Sequence, residues 1–226
     1  MRYDVITLFP EIIDGYCSQS ITKRGIEAKI IEVNTHNPRD YSLDKHKRVD
    51  DTPYGGGDGM VLACQPIFDC YNSIEKKADF EFIMLTPQGE KFNQKMAVEL
   101  AKKEQLILLC GHYEGFDERI RLGLKPREIS IGDFVLTGGE LGALVLVDSI
   151  SRNIENYLGK DKCAHDDSFS LGLDGLLEYP HYTKPREYLG MRVPEVLLNG
   201  NHKEIEEFRK TQSLERTKRR RPDLLN

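Results

Sequence analysis

Two glycine-rich corners, each directly after an apolar run, are the strongest chemical signal in this chain. Residues 111–140 contain six of the nineteen glycines. Five of the six group at 111–115, after the apolar run 105–109, and at 132–139, after the run 127–131. Glycine admits positive φ and lets another group approach the backbone closely. Corners of this kind predict a ligand pocket that is formed largely by peptide N–H and C=O groups.

A third corner follows the apolar run 80–85 and reads Leu85-Thr86-Pro87-Gln88-Gly89. Taken alone, it indicates an ordinary strand-to-helix turn, because Pro and Gly supply turn dihedrals. Ligands of open α/β sheets bind outside the carboxyl ends of the strands, so three such corners together favour a pocket. None of them matches a P-loop or a dinucleotide-binding fingerprint. The glycine-rich stretch 54–60 is interpreted as a flexible loop that orders over a ligand.

Acidic side chains near these corners and in a later polar loop could serve as bases or metal ligands. Asp117 and Glu118 are best explained as charges at a helix N-terminus, which the helix dipole favours. Glu114 lies inside the glycine turn itself, where helix capping explains it less well. Asp166 and Asp167 have three open interpretations: solvated loop acids, N-caps of a following turn, or catalytic groups.

Apolar runs alternate with helical patterns along the chain, which predicts an α/β fold with a largely parallel sheet. The strand candidates are 2–9, 28–35, 80–85, 105–110 and 127–131. The helix candidates are 64–77, 92–103, 116–123 and 138–153, with a further helical pattern from about 202. The 138–153 helix is apolar on most sides, so it is expected in a core or in a subunit interface.

Composition indicates a soluble globular protein. The chain has 226 residues, of which 39% are hydrophobic and 31% charged, with a net charge of −5. No apolar run approaches the ~20 residues that cross a bilayer, and the N-terminus lacks a signal-peptide pattern. Five cysteines without a C-x-x-C pair favour reduced thiols in the cytoplasm, with neither a disulfide framework nor a zinc site.

The composition changes after residue 159. Residues 160–175 are polar and glycine-spaced, which indicates a linker or a mobile loop, and a small unit follows. Seven Lys or Arg side chains between 209 and 221, against one acid, predict a phosphate-contacting surface rather than only a solvated helix face. A second set interleaves aromatic rings with cations, which suits unstacked RNA bases; it comprises His181, Tyr182, Lys184, Arg186 and Tyr188.

Long ordered blocks of this sequence resemble those of the bacterial tRNA (guanine-N1)-methyltransferases, the TrmD family of the SPOUT superfamily. The blocks are ITLFPE (6–11), PRDY…VDDTPYGGGDGM (38–60), LTPQG (85–89), CGHYEGFDERI (110–120), SIGDFVLTGGE (130–140), DSISR (148–152), DDSF (166–169), PHYTKP (180–185), VPEVLLNGNH (193–202) and RRRPDLL (219–225). Many members continue with a further helical tail. Because the basic segment is present here, RNA binding is expected without that tail.

The resemblance implies the SPOUT fold, a parallel α/β sheet whose C-terminal part forms a deep trefoil knot, followed by a small, mostly helical domain. It assigns 1–159 to an S-adenosylmethionine-binding methyltransferase domain, 160–175 to an interdomain linker and active-site loop, and 176–226 to a tRNA-binding domain. It also implies a cytoplasmic homodimer with shared active sites. The residue pattern alone predicts no knot, because threaded chains are rare.

The activity implied by the resemblance is transfer of the methyl group of S-adenosyl-L-methionine to N1 of guanosine 37 in the tRNA anticodon stem-loop. Asp167 is then the general base, Arg152 stabilises negative charge on guanine O6, and Glu114 is linked to a required Mg²⁺. The three corners would hold the cofactor through Leu85, Thr86, Pro87, Gly111, Tyr113, Ser130, Ile131, Gly132, Asp133, Phe134, Val135, Leu136, Gly138 and Gly139.

Two other functions fit parts of the pattern. A non-catalytic RNA-binding module would keep the basic segment and would need neither Asp167 nor Arg152. A carboxylate-based hydrolase would use Glu114 with Asp167 and would not bind S-adenosylmethionine tightly. The long block matches favour the methyltransferase over both.

Overall fold

The computed structural model describes residues 1–159 and 166–225. The chain divides into two compact units, Met1–Gly159 and Lys160–Asn226. The first six residues of the predicted linker 160–175, including Cys163, lie outside the described residues. Among the described residues, no helix has both the length and the apolar character needed to cross a membrane.

The first unit alternates strands and helices. Its strands are β1 (Arg2–Ile6), β2 (Glu32–His36), β3 (Asp50–Asp51), β4 (Val61–Leu62), β5 (Phe80–Lys91), β6 (Gln105–Leu109) and β7 (Arg127–Ser130). Its helices are α1 (Pro10–Cys17), α2 (Ser20–Glu27), α3 (Cys64–Ser73), α4 (Gln94–Leu100), α5 (Glu118–Leu124) and α6 (Glu140–Ser151).

Five strands form one parallel sheet in the order β2-β1-β6-β5-β7. Every residue of β6 is buried, as expected of a central parallel strand that is covered on both faces. Alternate residues of β6 join two apolar clusters, one with α1, α4 and α6 and the other with α3 and α5. The predicted α/β fold with a largely parallel sheet is confirmed.

Several predicted boundaries differ from the observed ones at the first two strands. The strand predicted at 2–9 ends at Ile6, because Pro10 starts a helix shortly after it. The strand predicted at 28–35 spans Glu32–His36, and helices α1 and α2 were not predicted. Each of these helices has only eight residues and contains an internal glycine, which weakens the helical signal in the sequence.

The second unit is built around the long helix α7 (His202–Arg220), with a small hairpin of β8 (Glu187–Tyr188) and β9 (Met191–Arg192). The helix predicted from about 202 is confirmed. The segment before the hairpin is hydrogen-bonded to α7 through the backbone of Leu177. The N–H of Leu177 donates to Thr217 Oγ1 at 3.0 Å, and the carbonyl of Leu177 accepts from Ser213 Oγ at 2.6 Å. These bonds anchor the chain that follows the predicted active-site loop to the helix.

Candidate functional site

The third corner is an excursion within β5 rather than a strand-to-helix turn. Leu85 and Glu90 both pair with Ile129 of β7, so residues 86–89 leave the ladder between them. A Cβ on Gly89 would lie 2.4 Å from the backbone nitrogen of Ile129. The excursion therefore depends on glycine at this position.

Three corners, one within β5 and two directly after β6 and β7, enclose a cavity of about 410 Å³. Small-molecule sites typically have roughly 300–1,000 Å³. Apart from Asp133, every residue predicted to hold the cofactor lines this cavity: Leu85, Thr86, Pro87, Gly111, Tyr113, Ser130, Ile131, Gly132, Phe134, Val135, Leu136, Gly138 and Gly139. Asp133 is exposed, and its carboxylate lies 2.8 Å from Lys91 Nζ.

The corner at 132–139 lies directly against the corner at 111–115. The N–H of Gly139 donates to the carbonyl of Gly111 at 2.8 Å. A Cβ on Gly139 would lie 2.6 Å from Cys110 Cα, and a Cβ on Gly138 would lie 2.3 Å from the ring of His112. Side chains at these two positions would force the corners apart, so the absence of a Cβ sets the shape of the cavity wall.

Glu114 is an exposed carboxylate on the cavity lining. Its N–H donates to the carbonyl of Met60 at 2.9 Å, which ties the corner to the end of the glycine-rich stretch 54–60. A Cβ on Gly59 would lie 2.7 Å from Glu114 Oε1, so glycine there makes room for the carboxylate. The glycine-rich stretch thus ends beside the cavity, and its closure over a ligand stays a prediction.

Asp117 and Glu118 lie at the start of α5. Asp117 is the N-cap, and its side chain accepts from the N–H of Arg119 at 2.9 Å. The Arg119 side chain also bonds this carboxylate and holds the pKa of Asp117 below its usual range. The prediction that both acids are helix N-terminal charges is confirmed.

The second unit contains a wide cleft of about 930 Å³ that is lined by rings and cations. The guanidinium of Arg209 lies 4.7 Å from the centroid of the Tyr179 ring, and the ring of His181 lies 5.0 Å from it. Four of the residues predicted to contact RNA line the cleft, namely His181, Tyr182, Lys184 and Arg186. The fifth, Tyr188, is exposed in β8 and is not part of the lining.

The basic cluster of 209–221 ends in exposed cations on the last turn of α7. Lys218, Arg219 and Arg220 are exposed and form no ion pair within residues 1–159 and 166–225. Arg221 differs, because its guanidinium lies 2.7 Å from the carboxylate of Asp223. Three adjacent unpaired cations are therefore available to an anionic partner.

Comparison with known proteins identifies a family for the whole chain. A family model described as tRNA (Guanine-1)-methyltransferase TrmD matches residues 1–226. A protein of Moorella thermoacetica is 54% identical over 228 positions, which cover 100% of this chain and 90% of the relative. Relatives from Bacillus pumilus and Clostridioides difficile are each 53% identical, covering 100% and 99% of this chain and 92% and 97% of their own lengths. All three are named tRNA (guanine-N(1)-)-methyltransferase.

The chain belongs to the tRNA (guanine-1)-methyltransferase family. The family resemblance predicted from the sequence blocks is confirmed. The chain is thus a methyltransferase enzyme, and the interpretation as a non-catalytic RNA-binding module is not favoured.

The two residues that the family resemblance links to proton removal and charge stabilisation belong to different units of the chain, and Arg152, the one in the first unit, does not line the cavity. Arg152 is the C-cap of α6, about 18 Å along the helix from Glu140 at about 1.5 Å per residue. Asp167 lies in the second unit, where its carbonyl accepts from the N–H of Ser170 at 3.1 Å to form a turn. The catalytic roles of Arg152 and Asp167 stay predictions.

A metal site is not preformed in the part of the chain that the structure describes. No group of three or more His, Cys, Asp and Glu side chains there could hold an ion. Mg²⁺ is commonly held by one or two carboxylates together with waters and substrate oxygens. The lone carboxylate of Glu114 therefore fits a magnesium site only if waters and substrate supply the other ligands.

A hydrogen-bonded group beside the cavity was missed by sequence reasoning. Glu140, the first residue of α6, is 3% exposed. Its Oε1 accepts from Thr7 Oγ1 at 2.6 Å, and its Oε2 lies 2.8 Å from Nε2 of His112. His112 lines the cavity. The sequence feature that could have indicated it is the position of Glu140, an acid directly after two glycines and at the start of an apolar helix.

Proposed function

We propose that this protein transfers the methyl group of S-adenosyl-L-methionine to N1 of the guanosine at position 37 of tRNA, giving 1-methylguanosine. The observation that carries the proposal is the glycine-lined cavity between the corner within β5 and the corners after β6 and β7. It occurs in a chain that matches the tRNA (guanine-1)-methyltransferases over its full length. The enzyme is expected to act in the cytoplasm on the anticodon stem-loop.

The cavity would hold the methyl donor mainly through backbone groups of its three corners. Bound S-adenosylmethionine supplies an activated methyl group on a positively charged sulfonium. The task of the chain is then to hold that methyl group in line with guanine N1. The corner 132–139 carries three exposed apolar side chains, Phe134, Val135 and Leu136. They are available to pack on the adenosine.

Proton removal from guanine N1 is assigned to Asp167, supplied by the loop of a partner subunit. An ordinary Asp, with a pKa of about 3.9, is a weak base for this proton. Arg152 would compensate by stabilising the negative charge that moves to guanine O6. Glu114 would contribute one oxygen ligand to Mg²⁺, whose remaining ligands would come from water and substrate.

A homodimer is proposed because α1 and α6 present an apolar surface. Leu141 and Val145 of α6 are 57% and 44% exposed, and Ile12 of α1 is 45% exposed. Tyr16 Oη donates to Asp148 Oδ2 at 2.9 Å, so the two helices are neighbours. An exposed apolar surface that two helices share fits association with a second copy.

The position of Arg152 also supports shared active sites. It lies at the opposite end of α6 from Glu140, and the cavity of one chain does not include it. A second subunit would complete a site that a single chain leaves without its charge-stabilising group.

A trefoil knot of the SPOUT type is proposed for the first unit. Its support is the contact between the corners 111–115 and 132–139, where the N–H of Gly139 donates to the carbonyl of Gly111 immediately before α6 begins. In this arrangement, loops that hold the cofactor come from strands β5, β6 and β7. The unit 1–159 would bind the methyl donor, 160–175 would carry the active-site loop, and 176–226 would bind tRNA.

A methyl-transfer assay tests the proposed function. One purified tRNA with guanosine at position 37 is incubated with the enzyme and S-adenosylmethionine labelled in the methyl group, with and without Mg²⁺. We expect label at guanine N1 and none on a matched tRNA with adenosine at that position. Tight tRNA binding without label would instead favour a non-catalytic RNA-binding module.

The variant Asp167→Ala tests the base assignment. We expect loss of transfer of about 100-fold or more, as for removal of a general base, while calorimetry shows unchanged affinity for S-adenosylmethionine. Asp174→Asn is the matched control, because Asp174 is an exposed acid in the same segment and Asn tolerates its left-handed φ of 51°. Normal turnover of Asp167→Ala would reject Asp167 as the base.

A further inference from the structure

The carboxylate of Glu140 joins three segments that are far apart in the sequence. Thr7 follows the end of β1, His112 follows the end of β6, and Glu140 begins α6. Each carboxylate oxygen has one partner, at 2.6 Å for Thr7 Oγ1 and 2.8 Å for His112 Nε2. Because an ionised carboxylate only accepts, His112 donates its Nε2 proton to it.

This linkage is buried and has little room to move. Glu140 and Thr7 are 3% and 1% exposed, and a buried carboxylate is stable only when it is hydrogen-bonded. A Cβ on Gly138 would lie 2.5 Å from Glu140 Oε2 and 2.3 Å from His112 Nε2. The backbone of the corner 132–139 therefore lies directly against the bond between Glu140 and His112.

One partner of that bond lines the cavity, and the other directly follows two residues that line it. His112 lines the cavity, and so do Gly138 and Gly139, the two residues that precede Glu140. The ring of His112 also lies 4.8 Å from the ring of Phe9, which holds its other side against the start of α1. Loss of the carboxylate would release the ring and the glycine corner together.

We propose that Glu140 is a positioning residue of the methyl-donor site, acting through His112 and Thr7. Its carboxylate holds the two glycine corners in the arrangement that binds S-adenosylmethionine. The inference rests on the proposed function of the cavity, and it adds a residue that does not itself line the cavity.

The variant Glu140→Gln tests this role. Glutamine keeps the side-chain volume, but it has one accepting oxygen in place of two and no negative charge, so it cannot accept from both Thr7 and His112. Calorimetry should show an affinity for S-adenosylmethionine about tenfold weaker, the loss expected of one charge-assisted hydrogen bond. In the transfer assay, KM for S-adenosylmethionine should rise while KM for tRNA stays constant, a split that general destabilisation would not produce.

The variant Thr7→Val removes the hydroxyl that donates to Glu140 and leaves the carboxylate in place. It tests the positioning role even if Glu140→Gln does not fold. It should also weaken binding of S-adenosylmethionine. Thr22→Val is its matched control, because Thr22 is about as buried as Thr7, but its hydroxyl is bonded to Tyr157 Oη at 3.2 Å rather than to Glu140. The control should lower the melting temperature and leave the affinity unchanged.

Two outcomes would overturn the inference, and they are distinguishable. If wild-type protein binds S-adenosylmethionine and the folded Thr7 and Glu140 variants bind it within twofold of wild type, the positioning role is wrong and the proposed function stands. If wild-type protein does not bind S-adenosylmethionine, the proposed function fails and the positioning role fails with it.

Discussion

Single residues in this protein matter through the neighbours that folding gives them, and Asp4 of β1 is an example outside the cavity. It is fully buried and accepts hydrogen bonds from His36 Nε2 at 2.8 Å, Arg2 Nη2 at 3.0 Å and Gln105 Nε2 at 2.6 Å. Burial opposes its ionisation, but these bonds outweigh burial and hold the pKa of Asp4 below its usual range. An ionised carboxylate is thereby part of the sheet's packing.

Acid should therefore destabilise the first unit partly through Asp4. A lowered folded pKa contributes stability that is present above the unfolded pKa of about 3.9 and is lost as pH falls through the folded value. Asp4→Asn should cost about 1–3 kcal/mol at neutral pH, and its free energy of unfolding should fall less steeply with acid than that of wild type. Urea unfolding at a series of pH values measures both; parallel curves would contradict the prediction.

At the scale of elements, helix α6 combines several roles. Its first residue, Glu140, is buried at the cavity, while its middle packs Leu146, Val147 and Ile150 into the core at 0% exposure. Its exposed row contains Leu141 and Val145. The sequence left core and subunit interface as open alternatives for this helix, and the structure shows that one face is in the core.

The exposed row of α6 gives a prediction about assembly. Leu141→Asp combined with Val145→Asp should convert a dimer to monomers, because charged side chains would have to be buried without partners. Sedimentation velocity measures the mass. Leu122→Asp is the control, since Leu122 is 67% exposed on α5, and it should leave the mass unchanged. An unaltered dimer in the double variant would exclude this surface.

At the scale of the whole molecule, the chain has a net negative charge, whereas the C-terminal part of α7 is basic. The net charge is −5, yet Lys218, Arg219 and Arg220 are exposed on consecutive positions of α7. An acidic protein repels nucleic acid at long range, so binding of tRNA is expected to depend on these local cations and strongly on salt.

Removal of two of these cations should weaken tRNA binding uniformly. Arg219→Ala with Arg220→Ala should lower affinity and reduce the slope of log affinity against log salt by about one for each lost phosphate contact. Filter binding across a salt series measures the slope. Lys95→Ala with Lys102→Ala, which removes two exposed charges from the first unit, should leave it unchanged. An unchanged slope in the Arg variant would reject this surface.

The sequence by itself determined the fold class, the family and most of the cavity lining. Alternating apolar runs and helices specify a parallel α/β sheet, and such a sheet places strand ends at one edge. Glycines after the runs 80–85, 105–109 and 127–131 therefore had to meet there, which is why the corners could be predicted from composition and spacing. The acids Asp117 and Glu118 were also correctly explained, because helix capping is a local interaction.

Only the tertiary structure decided which residues meet across the chain. Glu140 contacts Thr7 and His112, which are 133 and 28 positions away, and Gly89 fits against β7 only because β5 continues past its excursion. Neither contact has a local signal, since both depend on the order of strands in the sheet. Local propensity specifies where strands and turns begin, whereas long-range packing specifies which buried polar groups pair.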